Sequence, residues 1–185
     1  MLYLASKSPR RRQLLDQVGV AYETLDVDVD ESWDGAEEPA RHVQRLALEK
    51  ARSGRRLAGD TAPVLAADTG VVLDGRLLGK AGNREEAMHM LQSLSGRSHE
   101  VYSAVALLQA DEQLRLSRSR VCFRPLGDEE CEAYCDSGEP YGKAGGYAIQ
   151  GLAAVFVSRL EGSYSGVMGL PLYETTVLLK AAGIM

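Results

Sequence analysis

The chain has 185 residues, 45% of them hydrophobic and 25% charged, which is the balance of a globular protein able to bury a core. Its formal net charge of −5 argues against broad nucleic-acid binding, because that affinity rests on many basic contacts. No apolar run approaches the roughly 20 residues of a membrane helix, so neither nucleic acid nor membrane is expected as a partner.

The length fits one domain over residues 1–185, either compact or as two small lobes around a cleft. Lys7 and the arginines after it interrupt any signal-peptide pattern. Cys122, Cys131 and Cys135 show no metal-binding spacing and read as reduced thiols. A cytoplasmic protein is the expectation.

The first element is a short apolar strand, Leu2-Tyr-Leu-Ala5, followed by a turn through Ser6 and Ser8. Pro9 then opens a helix that Gly19 ends, with the Ser8 hydroxyl expected as its N-cap. Lys7, Arg10, Arg11 and Arg12 crowd that N-terminus, where cations oppose the helix dipole unless an anion offsets them. A phosphate ligand would supply that anion; a solvated basic turn accounts for the same residues. A second strand is predicted over Ala21–Val27, and Asp26, Asp28, Asp30 and Glu31 follow it as an acidic segment.

Pro39 opens a long helix to about Arg56, on which Lys50 is expected to face a cleft and Glu49 to face solvent. Pro63–Leu73 reads as a buried strand that places Asp68 at its functional end, and Asp74-Gly75 turns it into Arg76–Leu78. A lone carboxylate among Val, Leu and Ala needs a partner, so Asp68 is the most informative single residue. Asn83 caps a helix to Leu94, and two long strands follow, His99–Gln109 and Leu114–Phe123. A short acidic helix is predicted over Asp128–Asp136. The glycine-rich run 138–151 leads into a strand at Ala154–Leu160, and a last helix opens at Leu172 and ends near Ala182. The pattern is α/β, a mixed twisted sheet flanked by helices.

The common catalytic and nucleotide-binding fingerprints do not fit. There is no G-x-G-x-x-G and no complete Walker A, since Gly138–Lys143 is too short and Ala144 follows the lysine. Gly162-Ser-Tyr-Ser-Gly166 centres on Tyr164, so it is no nucleophile elbow, and His99 has no triad spacing to Ser163, Ser165 or Asp68. What remains is a cationic set, Arg10, Arg11, Lys50 and Lys80, with Asp68 isolated among scattered carboxylates. That set suits phosphoryl chemistry, in which cations neutralise a polyphosphate and an aspartate orients or deprotonates water.

With these residues assembled, the chain resembles the Maf family, the septum-formation-inhibitor-like nucleotide pyrophosphatases. The resemblance runs through Ala5–Arg11, Leu48–Ala51, Ala67–Thr69, Gly79-Lys80, Leu94–Gly96 and His99–Val101. It continues through Glu139-Pro140, Lys143–Gly151, Gly162–Ser165 and Gly169–Leu172. It implies an inosine-triphosphatase-like fold with an active site between lobes. It also implies a divalent metal cation (Mg or Mn) and cleavage of a nucleoside triphosphate substrate between its α and β phosphates. By the same resemblance Asp68 is the proton acceptor, and Ser8, Arg11, Lys50 and Lys80 bind phosphate. Glu31 with Asp68 would hold the metal or a water, Lys143 would assist, and a homodimer is expected.

Arg10, Thr69 and Gln150 resemble the branch of the family acting on dTTP and UTP. The sister branch, acting on 7-methyl-GTP, reads Ser-Asp-Gln around the aspartate and carries Glu where this chain has Gln150. An amide both donates and accepts, which suits a pyrimidine imide edge. The chain departs from the family at Ala81, Gly166 and Gly70, and a glycine beside Asp68 is expected to loosen the backbone there. A nucleotide-binding regulator of cell division with incidental catalysis is the alternative reading.

Overall fold

The computed structural model describes residues 1–59 and 62–185. Seven strands form one mixed sheet: β1 (Leu2–Ala5), β2 (Tyr22–Leu25), β3 (Val64–Leu73), β4 (Arg76–Leu78), β5 (Ser98–Leu108), β6 (Glu112–Phe123) and β7 (Val157–Glu161). Their order is β2-β1-β3-β5-β6-β7, with β4 also paired to β3. β1 runs parallel to both β2 and β3, and the other pairings are antiparallel. The helices are α1 (Pro9–Gln17), α2 (Pro39–Ala58), α3 (Arg84–Leu94), α4 (Asp128–Asp136), α5 (Tyr164–Met168) and α6 (Leu172–Ala181). Among the described residues no helix is long and apolar enough to cross a membrane.

Alternation along β3 divides the core between two faces. Val64, Ala66 and Val72 pack with Val43, Ala47 and Ala51 of α2. Leu65 and Ala67 pack with Leu14 and Leu15 of α1 and with Leu178 and Leu179 of α6. A third cluster gathers α3 and α4 at the far end of the sheet around Leu91, Phe123, Tyr134 and Phe156. The helix starts follow local chemistry. Pro39 occupies the first turn of α2, and Asn83 accepts the Glu86 N–H to cap α3.

Four expectations change. Ser8 stands at the N-cap of α1, but its hydroxyl makes no cap bond. Its own N–H instead donates to Ser6 Oγ at 3.2 Å, which leaves the first turn of the helix open. The second strand is shorter than predicted, Tyr22–Leu25, because β1, its one partner, is only four residues long. The predicted strand at Ala154 starts three residues later, after a 3-10 turn over Leu152–Phe156. Asp68 lies in the middle of β3 rather than at its end, because β5 pairs with β3 along almost its whole length.

On the other edge of β3 the pairing is broken. β1 pairs at Val64 and Leu65, then turns away at Ser6, and β4 begins only at Val71. Between them Ala66–Gly70 has no strand on that side. A sheet whose neighbours diverge at one point opens a crevice there. That is where the site lies.

Candidate active site

The crevice is a cleft of about 390 Å³ between the β1–α1 turn and α2 on one side and the glycine-rich segment 141–150 on the other. Six cations line it: Lys7, Arg10, Arg11, Lys50, Lys80 and Lys143. Two carboxylates, Glu31 and Asp68, stand against them, so the cleft is strongly positive in a protein that is negative overall.

Asp68 lies on the α2 face of β3, and α2 presents Lys50 to it from the turn beside Ala47 and Ala51. Lys50 Nζ donates to Asp68 Oδ1 at 2.7 Å, and both side chains are about nine-tenths buried. The same ammonium lies 2.5 Å from Glu31 Oε1, and Lys80 pairs with Glu31 Oε2. Burial pushes the Glu31 carboxyl up, but hydrogen bonds and charge from Lys50 and Lys80 outweigh it and hold the group at about 2. Glu49, one residue from Lys50, points away and pairs with Arg45, as expected.

Arg11 enters from the first turn of α1. Its Nε donates to the Gly169 carbonyl at 2.7 Å and its Nη1 to Ser6 Oγ at 3.2 Å. Burial lowers its pKa, with the charge of Asp68 opposing. Arg10 is likewise lowered by burial, with the charges of Glu139 and Tyr134 opposing. Burial and then the charge of Arg10 lower Lys143, against Glu139. Thr69, on the opposite face from Asp68, approaches Ser103 Oγ at 2.5 Å. Ser8 and Gln150 also line the cleft, Gln150 at its exposed rim. The residues singled out from the sequence therefore converge: Asp68, Glu31, Ser8, Arg10, Arg11, Lys50, Thr69, Lys80, Lys143 and Gln150 all face one space.

The expectation of a loosened backbone at Gly70 is not met. Gly70 pairs with Tyr102 across β5, and a Cβ there would stand 2.5 Å from Leu77 Cδ2 and 3.1 Å from Val43 Cγ1. Glycine at 70 lets β4 and α2 close over β3. Ala81 is buried and its carbonyl accepts the Gly142 N–H at 3.0 Å, while Gly145 N–H reaches Gly79 O at 3.0 Å. These bonds tie the glycine-rich segment to the strand end that carries Lys80.

Two features escaped the sequence reading. Glu139 is a hub: Tyr134 Oη donates to its Oε1 at 2.8 Å, the Leu152 N–H to its Oε2 at 3.1 Å, and the Ala153 N–H to its Oε1 at 3.4 Å. It thereby folds the chain on either side of Gln150. Ser103, buried on β5, joins Thr69 to the Gly166 carbonyl at 2.6 Å. Glu139 appeared in the sequence only within the Glu139-Pro140 motif of the family resemblance, with no role attached, and Ser103 had no signal. His99 serves no triad. It is buried against Phe123 and bonds Tyr147 Oη at 2.7 Å, and burial lowers it to about 4, so it is neutral at neutral pH.

Among the described residues no cluster of three or more His, Cys, Asp or Glu is placed to hold a metal alone. Glu31 and Asp68 nonetheless converge on one cation, the Lys50 ammonium. Two carboxylates at a common point, open to the cleft, suit magnesium, which seldom takes a full set of protein ligands.

The chain belongs to the Maf family, whose model, described as Maf-like protein, matches residues 1–182. The dTTP/UTP pyrophosphatase of Alkalilimnicola ehrlichii is 57% identical over 183 residues, covering 96% of this chain and 91% of that one. That of Bordetella avium is 52% identical over 193 residues, covering 99% and 96%. Among solved structures, the nucleoside-triphosphatase / dITP/XTP pyrophosphatase of Mycobacterium abscessus overlaps with a TM-score of 0.42 at 21% identity, covering 66% of this chain and 73% of that one.

Proposed function

We propose that residues 1–185 act as one domain that hydrolyses dTTP and UTP to the monophosphate and pyrophosphate. The observation that carries this reading is the cleft, where Asp68 and Glu31 are held by Lys50 amid an excess of cations. The dTTP/UTP pyrophosphatase relatives, at 50–57% identity, support the choice of substrate.

In this reading Arg11, Lys50, Lys80 and the open N-terminus of α1 at Ser8 bind the triphosphate, with Lys143 assisting. Asp68 accepts a proton from a water that attacks the α-phosphorus. The bond from that phosphorus to the bridging oxygen breaks, and pyrophosphate leaves with its charge met by the lysines. Glu31 and Asp68 would hold a divalent cation, magnesium or manganese, which when bound neutralises phosphate charge and polarises the phosphoryl oxygens. Arg10, Thr69 and Gln150 select the base.

The test is pyrophosphate release with magnesium or manganese over dTTP, UTP, CTP, GTP, ATP and 7-methyl-GTP, for the wild type and Asp68→Asn. Selective turnover of dTTP and UTP is expected. The variant should lose about 10²- to 10⁴-fold in kcat while its unfolding temperature stays within a few degrees of wild type. Turnover chiefly of 7-methyl-GTP would move the protein to the sister branch. Nucleotide binding without any turnover would make it a binder rather than an enzyme.

A further inference from the structure

Thr69 and Ser103 face each other across the β3–β5 pair, and their hydroxyl oxygens are 2.5 Å apart. Two oxygens at that distance need a proton between them. Ser103 has one proton, and it is committed: its Oγ lies 2.6 Å from the Gly166 carbonyl, which can only accept. Ser103 is 1% exposed, so water offers no substitute partner. The shared proton is therefore Thr69's. The other acceptor within reach of Thr69, the Gly169 carbonyl, is 3.4 Å away, a far weaker competitor than Ser103 Oγ at 2.5 Å. Thr69 Oγ1 is left facing the cleft with lone pairs alone.

An oxygen so fixed recognises a donor. Uracil and thymine share an N3–H between two carbonyls, whereas cytosine carries a lone pair at N3. Resting on the pyrimidine-triphosphatase reading above, we propose that Ser103 is a positioning residue that locks the Thr69 hydroxyl as an acceptor for the N3–H of uracil or thymine. Cytosine would bring two lone pairs face to face and is turned away. The Gly166 carbonyl is the fixed end of this relay, and Ser163, which caps α5 by accepting the Gly166 N–H at 2.9 Å, holds it in place.

The test compares kcat/KM for UTP, N3-methyl-UTP and CTP in the wild type, Ser103→Ala, Thr69→Ser and Thr69→Val. Wild type should prefer UTP to both analogues. In Ser103→Ala the Thr69 proton is free to turn into the cleft, so the UTP:CTP ratio should narrow by about 10- to 100-fold, carried largely by a gain with CTP. A merely structural loss would lower both substrates together and leave the ratio unchanged, which would overturn the inference. Should Ser103→Ala not fold, the Thr69 pair decides. The ratio should hold in Thr69→Ser and collapse in Thr69→Val, and an unchanged ratio in Thr69→Val would overturn it. Wild-type preference for UTP over CTP, with N3-methyl-UTP turned over as well as UTP, would sink this inference alone. No turnover of any triphosphate would sink the pyrophosphatase reading beneath it.

Discussion

Glu31 carries more of the cleft's charge balance than its place in an irregular acidic segment suggests. Its carboxyl is held at about 2 in the folded protein against an ordinary 4.5, so between those values the unfolded chain binds more protons than the folded one. Its contribution to stability is whole above about pH 4.5 and is lost as pH falls towards 2. With 36% of its side chain exposed, solvent screening keeps that contribution below about 1 kcal/mol. The gap in unfolding midpoint between wild type and Glu31→Gln should be constant from pH 6 to 8 and close between pH 4.5 and 2. A gap unchanged down to pH 2 would mean the ion pairs with Lys50 and Lys80 do not form in solution. Asp68 was legible in the sequence because a lone acid in an apolar strand demands a partner. Glu31 was legible as a metal or substrate candidate within its acidic segment, but its pairing was not, since its partners lie 19 and 49 residues further along the chain.

At the scale of elements, α2 rests on the sheet through Ala47, Ala51 and Gly54 against Ala5, Val64 and Ala66. A Cβ at Gly54 would stand 2.8 Å from Ala5 Cβ and 2.9 Å from Val64 Cγ1, neither of which can swing aside. Gly54→Ala gains about 1 kcal/mol in helix propensity but overpacks a tight layer by about 1–3 kcal/mol. The net expectation is destabilisation, read as a lower urea midpoint; a higher midpoint would show that the helix lifts freely from the sheet. Helix starts were legible because Pro39 and Asn83 act locally. The strand predicted from Ala154 was not, although Ala-Val-Phe-Val is good strand material. Glu139 accepts the Leu152 and Ala153 N–H groups and so winds those residues into a 3-10 turn. A carboxylate thirteen residues upstream overrode local preference. The short helix α5 was missed for the same kind of reason, since its cap and support come from Ser163 and the distant strands β5 and β6.

Across the whole molecule, charge is segregated: −5 overall, yet six cations against two carboxylates in the cleft. Charges within a Debye length of the opening attract a polyphosphate in a salt-dependent way. Raising ionic strength from about 0.05 to 0.5 M should raise KM for UTP several-fold and leave the unfolding temperature within a few degrees. A KM indifferent to salt would place the binding energy in the base and sugar instead. The basic turn at residues 7–12 could be read locally. Its meeting with Lys50, Lys80 and Lys143 follows from where β1 leaves β3 and how 142–145 is pinned to 79–81, and no spacing in the sequence encodes that.

Because Glu31 already occupies Lys50 and Lys80, the cleft works as an ion exchanger rather than as a bare cationic trap. If the triphosphate binds these lysines as proposed, it would displace one anion to gain another, and its affinity would reflect the difference between two sets of ion pairs. On the proposed reading the exchange would run in reverse when pyrophosphate departs, with Glu31 free to pair again with Lys50 and Lys80. A resident counterion thus moderates how tightly so positive a cleft grips its own product.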